Sequence, residues 1–215
     1  VEVNEDLACR SITGKSVFIS GAGGSIGSEL CRQVLARGPK TIVLYEITES
    51  ALFYIQQELI RRKQNLDTEV EVVAVLGSVL DATRLRSILT RFKVDSVFHA
   101  AAYKHVPMIE SNQIEGIRNN IIGTKRLVES CLCAKVSSLV VISTDKAVRP
   151  TNLMGATKRF AELVVQSVTR NQTSMKTCVV RFGNVLGSSG SVVPIFREQI
   201  QNGGPVTVTH KDMMR

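Results

Sequence analysis

The chain has 215 residues, enough for one domain with a sizeable core, and its 44% hydrophobic and 21% charged content is ordinary for a globular protein. No apolar run approaches the roughly 18 residues of a membrane span. The net charge of +8 comes with 5% aromatics and one tight basic run, Arg61-Arg62-Lys63, which reads as a solvated helix end, so no nucleic-acid partner is expected. An anionic ligand, or a membrane surface near a larger parent protein, would equally favour positive charge.

The start, VEVNEDLACRS, is polar and acidic and has no signal-peptide pattern. Its first residue is Val, and the chain stops soon after a strand-like run, so it reads as a piece of a longer protein. The five cysteines show no metal-ligand spacing; Cys131 and Cys133 are two apart in a helical pattern and point to different faces, so no metal is expected. Residues 1–14 read as a polar lead-in and 15–215 as one domain.

Lys15 to Ser20 is a short apolar strand that runs into Gly21-Ala22-Gly23-Gly24-Ser25-Ile26-Gly27 and then a helical pattern through Leu30, Val34 and Leu35. Strand, glycine loop, helix is the context of a dinucleotide site. The glycines allow a tight turn and close backbone approach to a pyrophosphate, which the helix N-terminus attracts. The candidate ligands are Gly21, Gly24, Ser25, Ile26 and Gly27. Thr41 to Glu46 is the second strand, and Glu46 lies 19 residues beyond Gly27, where a carboxylate accepts from a ribose 2′-hydroxyl. The next arginine is Arg61, so NAD is expected rather than NADP.

A helix follows over 47–63, a third strand over 70–76, and then Ser78 and Val79 at a position suited to an adenine edge. Asp81 caps a helix to Arg91. Val94 to His99 is a fourth strand, leading into Ala100, Ala101 and Ala102, whose small side chains let a cofactor approach. Lys104 and His105 follow in a polar loop as candidate substrate contacts, and Gln113 to Lys135 reads as one long helix. Leu139 to Ser143 is a fifth strand and Lys176 to Phe182 a sixth. The glycine- and hydroxyl-rich loop 183–191 offers Asn184 and Ser188, a short helix spans Val193 to Gln201, and Pro205 to Thr209 reads as a last strand.

Between the fifth strand and the next helix lies STDKAVRPTNLMGATK, Ser143 to Lys158. Thr144, Asp145 and Lys146 place a hydroxyl, a carboxylate and an amine side by side at a strand end, the ligand edge of an open α/β sheet. Met154 and Lys158 share a helix face. The alternation predicts a doubly wound parallel sheet of the Rossmann type, in order 3-2-1-4-5-6-7. An acid beside a base suits elimination of water from a transiently oxidised sugar.

On SGAGGSIGSEL (Ser20 to Leu30), HAAAYKHVP (His99 to Pro107), NNIIGT (Asn119 to Thr124), STDKAVRPTNLMGATKR (Ser143 to Arg159) and RFGNVLGSSGSVVPIF (Arg181 to Phe196), the chain resembles the extended short-chain dehydrogenases/reductases. Among these it closely resembles the UDP-N-acetylglucosamine 4,6-dehydratases of bacterial polysaccharide and glycan biosynthesis. The resemblance implies NAD-linked oxidation at sugar carbon 4, removal of the carbon 5 proton by Lys146, protonation of the departing carbon 6 hydroxyl by Asp145, and return of hydride to carbon 6. The product would be a UDP-2-acetamido-2,6-dideoxy-hexos-4-ulose. Thr144 would hydrogen-bond the carbon 4 oxygen, Lys158 hold the nicotinamide ribose, Asn120 serve the cofactor site, and Asn184 stand beside the substrate diphosphate.

Two departures stand out. The superfamily places Tyr four residues before the active-site Lys, as base for the carbinol proton; this chain has Met154. A Met-bearing subgroup is active and includes membrane-anchored enzymes with a cytoplasmic catalytic domain; there Asp145 or a Thr144-linked path would manage the proton. The family also has a C-terminal substrate-binding region, most of which would lie beyond Arg215. A homo-oligomer is expected. The rival readings are an NAD-binding protein without catalysis, and an epimerase or reductase; the Asp145-Lys146 pair speaks against the latter, since epimerisation expels no hydroxyl.

Overall fold

The computed structural model of the chain describes residues 9–185 and 192–208. They fall into two compact units, residues 1–183 and 184–215. In the first, a parallel sheet is built from β1 (Ser16–Ser20), β2 (Thr41–Glu46), β3 (Glu71–Leu76), β4 (Ser96–His99), β5 (Ser138–Thr144) and β6 (Lys176–Phe182). The helices between them are α1 (Ser25–Ala36), α2 (Glu49–Asn65), α3 (Ala82–Arg91), α4 (Val106–Ser111), α5 (Gln113–Ile117), α6 (Thr124–Cys133) and α7 (Leu153–Thr169). The second unit carries α8 (Val192–Gln201), where the Gln199 side chain both donates to Thr207 Oγ1 and accepts from its backbone N–H.

The strand order is β3-β2-β1-β4-β5-β6. The expected seventh strand is not formed: 205–208 have no regular structure, and Thr209 lies outside the described residues. An apolar alternating run becomes a strand only where a neighbour completes its ladder, and Pro205 has no N–H to offer.

Period-two alternation splits the strand side chains between two cores. Phe18, Val43, Tyr45, Val97, Leu139 and Val141 face α3, α6 and α7 through Leu85, Leu89, Leu127 and Val165. Val17, Ile19, Ile42 and Leu44 face α1 and α2 through Val34, Leu35, Leu52, Ile55 and Leu59. β1 and β2 are covered on both sides and buried along their whole length, hence their unbroken apolar sequence. The lead-in joins the second core through buried Ile12.

Caps fix the helix starts that matter to the site. Asp81 accepts from Arg84 N–H at 2.9 Å and Asn152 from Gly155 N–H at 2.8 Å, each typically worth about 1 kcal/mol. The long helix expected over 113–135 is interrupted by a π-helical segment, Arg118–Gly123. Because all six strands are parallel, Gly21, Glu46, Ala100 and Thr144 leave the sheet along one edge.

Candidate functional site

The glycine loop forms a cradle that side chains would fill. Gly21 has φ +68° and a Cβ there would lie 2.6 Å from Ala101 N; on Gly27 it would lie 1.9 Å from Gly21 O. Helix α1 therefore starts flush against the strand end, with Gly24 at its N-cap and so no side-chain cap there. Gly24, Ser25, Ile26 and Gly27 line a cavity of about 560 Å³, opposite Ala100, Ala102, Lys104 and His105. An exposed helix N-terminus over a side-chain-free turn fits the pyrophosphate of a dinucleotide.

Glu46 is buried, and its carboxylate accepts from Gly23 N–H at 3.0 Å, Ile47 N–H at 2.9 Å and Thr48 N–H at 3.1 Å. It thus holds the glycine loop. Ser78 accepts at its carbonyl from the Tyr45 hydroxyl at 2.8 Å. The Val79 side chain is buried in the first core, and Ala101 packs against that core.

Asn120, in the π segment, behaves like a short strand. Its Oδ1 accepts from Tyr103 N–H at 2.9 Å, and its Nδ2 donates to Tyr103 O and to Thr157 Oγ1, both at 3.0 Å. One buried amide so ties the 100–105 loop to α7. Behind it lies His99, buried at the end of β4, with Nδ1 2.7 Å from Ser20 Oγ and Nε2 2.9 Å from Thr124 Oγ1. The Thr124 hydroxyl donates to Asn120 O at 2.7 Å. It must therefore accept from His99, which fixes the proton on Nε2 and makes Ser20 the donor to Nδ1.

Burial, with the charge of Lys158 as a lesser cause, pushes His99 down to about 3 from 6.5. The unfolded chain binds this proton at pH 6.5 while the folded chain refuses it until about pH 3. Stability is therefore expected to fall as pH drops through that window, by up to ~1.4 kcal/mol per pH unit. Denaturant unfolding at pH 7, 6 and 5 checks this; His99→Gln, less stable at pH 7, should lose the slope above pH 5.

Thr144, Asp145 and Lys146 stand together where β5 passes into the 3₁₀ turn Asp145–Ala147. The Thr144 hydroxyl donates to Asp145 Oδ1 at 2.9 Å, and Lys146 Nζ lies 3.1 Å from the same oxygen. The Lys146 hydrogen bond, aided by that of Thr144, holds the exposed Asp145 carboxyl below the usual carboxylate range. The turn rests on α7 at Gly155, where a Cβ would meet Lys146 O at 2.3 Å.

Met154 and Lys158 are both buried on α7. Lys158 Nζ donates to Ile142 O at 2.8 Å, two residues before Thr144. Burial pulls its pKa from 10.5 to about 8, against the opposing charge of Glu162. Glu162, one turn further on, is 2% exposed and accepts from Ser143 Oγ at 2.6 Å, Arg181 Nε at 2.8 Å and Arg159 Nη1 at 2.9 Å. Burial alone would raise the Glu162 carboxyl, but Arg181, Ser143 and Arg159 bring it down to about 2. Glu162, Ser143 and His99 were missed from sequence; the four-residue step from Lys158 to Glu162 is the signal that could have found the first. Asn184 is exposed and belongs to the second unit, and Ser188 lies outside the described residues.

The sheet order, the glycine loop and the lysine-bearing helix after β5 define a Rossmann-type protein of the extended short-chain dehydrogenase/reductase kind. The chain belongs to the polysaccharide biosynthesis protein family, whose sequence model matches residues 17–215. It is 50% identical, over its whole length, to the capsular polysaccharide biosynthesis protein CapD of Staphylococcus aureus, of which it spans 35%. It is 34% identical to a UDP-glucose 4-epimerase of Rickettsia rickettsii, covering 94% of this chain and 58% of that protein. The X-ray structure of Pen from Bacillus thuringiensis superposes with a TM-score of 0.85 at 35% identity, covering 94% of this chain and 62% of that one. The chain thus spans between about a third and three-fifths of the length of these relatives.

Proposed function

We propose that the chain is the NAD-binding catalytic part of a UDP-sugar 4,6-dehydratase, acting on UDP-N-acetylglucosamine to give the UDP-4-keto-6-deoxy sugar for polysaccharide or glycan biosynthesis. The observation that carries the reading is the Thr144-Asp145-Lys146 constellation at the ligand edge, with hydroxyl and amine both on one carboxylate oxygen. The glycine cradle, Glu46 and Lys158 fit NAD, which when bound would supply hydride transfer at the sugar.

In this reading Lys146, once it has given up its own proton to solvent and stands as the neutral amine, removes the carbon 5 proton, and Asp145 protonates the carbon 6 hydroxyl as it leaves. Asp145 starts as a carboxylate and needs a proton first. Since Thr144 already donates to it, a carbon 4 hydroxyl donating to Thr144 could pass its proton along that bond, a task Met154 cannot perform. Lys158 and Asn120 hold the cofactor and Lys104 and His105 the substrate; Asn184 and Ser188 are substrate contacts by the resemblance alone. The resemblance also supports a cytoplasmic setting, as a domain of an inner-membrane protein, and a homo-oligomer.

The epimerase relative favours the second reading, a UDP-sugar 4-epimerase. Incubating the full-length protein with UDP-N-acetylglucosamine and NAD separates the two. Loss of one water by mass is expected; an isomer of unchanged mass would install the epimerase, and no conversion beside measurable NAD binding would leave a binding protein. In deuterated water, Lys146→Ala should lower carbon 5 exchange by at least about a hundredfold. Exchange at the wild-type rate would remove Lys146 as the base.

A further inference from the structure

The candidate site occupies the C-terminal edge of the sheet; the chain's positive charge gathers at the opposite edge. The backbone there is laced from strand to strand: Lys40 N–H donates to Lys15 O, Glu71 N–H to Lys40 O, Ser138 N–H to Asp95 O, and Lys176 N–H to Ser137 O. Lys15, Lys40, Lys93, Lys135 and Lys176, all exposed, stand at or just before the starts of β1, β2, β4, β5 and β6. Arg10, Arg37, Arg91 and Arg170 flank them. Among the described residues along these five strand starts, the opposing charges are Asp95, whose carboxylate accepts from Ser16 N–H at 2.9 Å, and Glu71, whose carboxylate accepts from Thr41 Oγ1 at 3.1 Å. Asp67, Glu69 and Glu71 collect beside β3, at the margin of the sheet. The surplus over β2 to β6 is about seven positive charges, close to the net charge of +8 of the whole chain.

Two of these lysines occupy backbone positions that suit glycine. Lys93 has φ 45° and Lys135 φ 59°. Each ends its helix in a Schellman turn: Lys93 N–H donates to Thr90 O and Val94 N–H to Leu89 O, with the same pattern from Lys135 to Leu132 O and Val136 to Cys131 O. Helix α1 meets the same need with Gly38, φ 62°. A side chain in this left-handed conformation carries a steric cost that glycine avoids. The helix dipoles favour cations at Lys93 and Lys135. They fall off within a turn of the helix end, and the small aligned dipoles of a parallel sheet favour no cation at the strand starts of Lys15, Lys40 and Lys176.

The chemistry of the face narrows its partner. Its aromatic residue is Phe92, half-buried beneath Arg91, so it offers no platform for stacked bases. Lysines are point charges without the planar fork that reads a particular phosphate geometry. Parallel strands about 4.8 Å apart set them along a front of roughly 19 Å, suited to a planar array of anions. We propose that the N-terminal edge of the sheet docks on the anionic headgroups of a phospholipid leaflet, leaving the ligand edge turned toward solution.

The test uses the 215-residue chain and sedimentation with vesicles of phosphatidylcholine alone or mixed with phosphatidylglycerol. Binding to the mixed vesicles, absent with phosphatidylcholine and reversed by salt, is expected. Lys93→Gly with Lys135→Gly removes two charges by substitutions the backbone prefers. It should weaken vesicle binding about thirtyfold, about fivefold per lysine, with an unfolding midpoint equal to or above wild type. Undiminished binding by the double variant, equal binding to phosphatidylcholine, or no binding by wild type would each overturn the proposal. Single-stranded RNA binding more tightly than the mixed vesicles, and weakened by the same variant, would transfer the face to nucleic acid. No NAD or sugar enters the assay, so its outcome is independent of the proposed reaction.

Discussion

Glu162→Gln is expected to destabilise the chain by about 2–3 kcal/mol at pH 7, read by urea unfolding. Removing one partner of a buried ion pair typically costs about 3–5 kcal/mol. Here the cost falls at or just below the bottom of that range, because Arg159 and Arg181 are 40% and 38% exposed and regain water. The loss falls on a junction: this carboxylate joins Ser143 at the end of β5, Arg181 at the end of β6 and its own helix α7. Its folded pKa of about 2 lies below the ordinary 4.5, so its contribution is complete above pH 4.5 and disappears as pH falls toward 2. The stability curves of wild type and variant should therefore converge over that interval; a constant gap down to pH 2 would show that the ionised carboxylate is not what holds the junction.

Lys158→Met should act in the opposite direction on stability. Charging this buried amine is disfavoured by the drop from 10.5 to about 8, at most about 3 kcal/mol. Methionine fills similar space without a charge but gives up the bond to Ile142 O. A net gain of about 1–3 kcal/mol is expected, full below pH 8 and fading toward pH 10.5, where the unfolded lysine also loses its proton. If Lys158 holds the nicotinamide ribose, NAD affinity should fall about tenfold to a hundredfold, the value of a charge-assisted hydrogen bond. A variant that is less stable and binds NAD normally would make Lys158 a packing residue. The pairing of greater stability with weaker binding is the signature of a group retained for function.

These two residues also show where sequence reading ends. Lys158 was legible through the family resemblance, on the helix face that it shares with Met154. Glu162 was not singled out, because its partners are 19 positions away on either side, Ser143 and Arg181, and only the sheet brings them together. The six strands were readable from their apolar runs, since a doubly covered sheet needs unbroken ones. The last strand failed on the same signal, for an apolar run does not say whether a neighbour exists. The π segment was hidden because its extra residue per turn barely disturbs the apolar spacing, yet it sets the direction in which Asn120 points. His99 read as the end of a strand, and its role depends on Thr124, 25 residues later. Glu46 was recognisable by its distance from the glycines, whereas its grip on Gly23 required the fold.

The strand order carries a consequence for how the chain is made. β1 lies at the centre of the sheet, between β2 and β4, and the start of β4 is some 75 residues beyond the end of β1. On a ribosome adding about 5–20 residues per second, β1, β2 and β3 can pair as they emerge, but one side of β1 waits roughly 4–15 seconds for its partner. During that time the unpaired backbone of Ser16–Ser20 and the apolar faces of Phe18 and Ile19 are open to other nascent chains. Synthesis of this protein thus passes through an aggregation-prone half-sheet whose lifetime is set by translation speed, and slow codons between β1 and β4 would lengthen it.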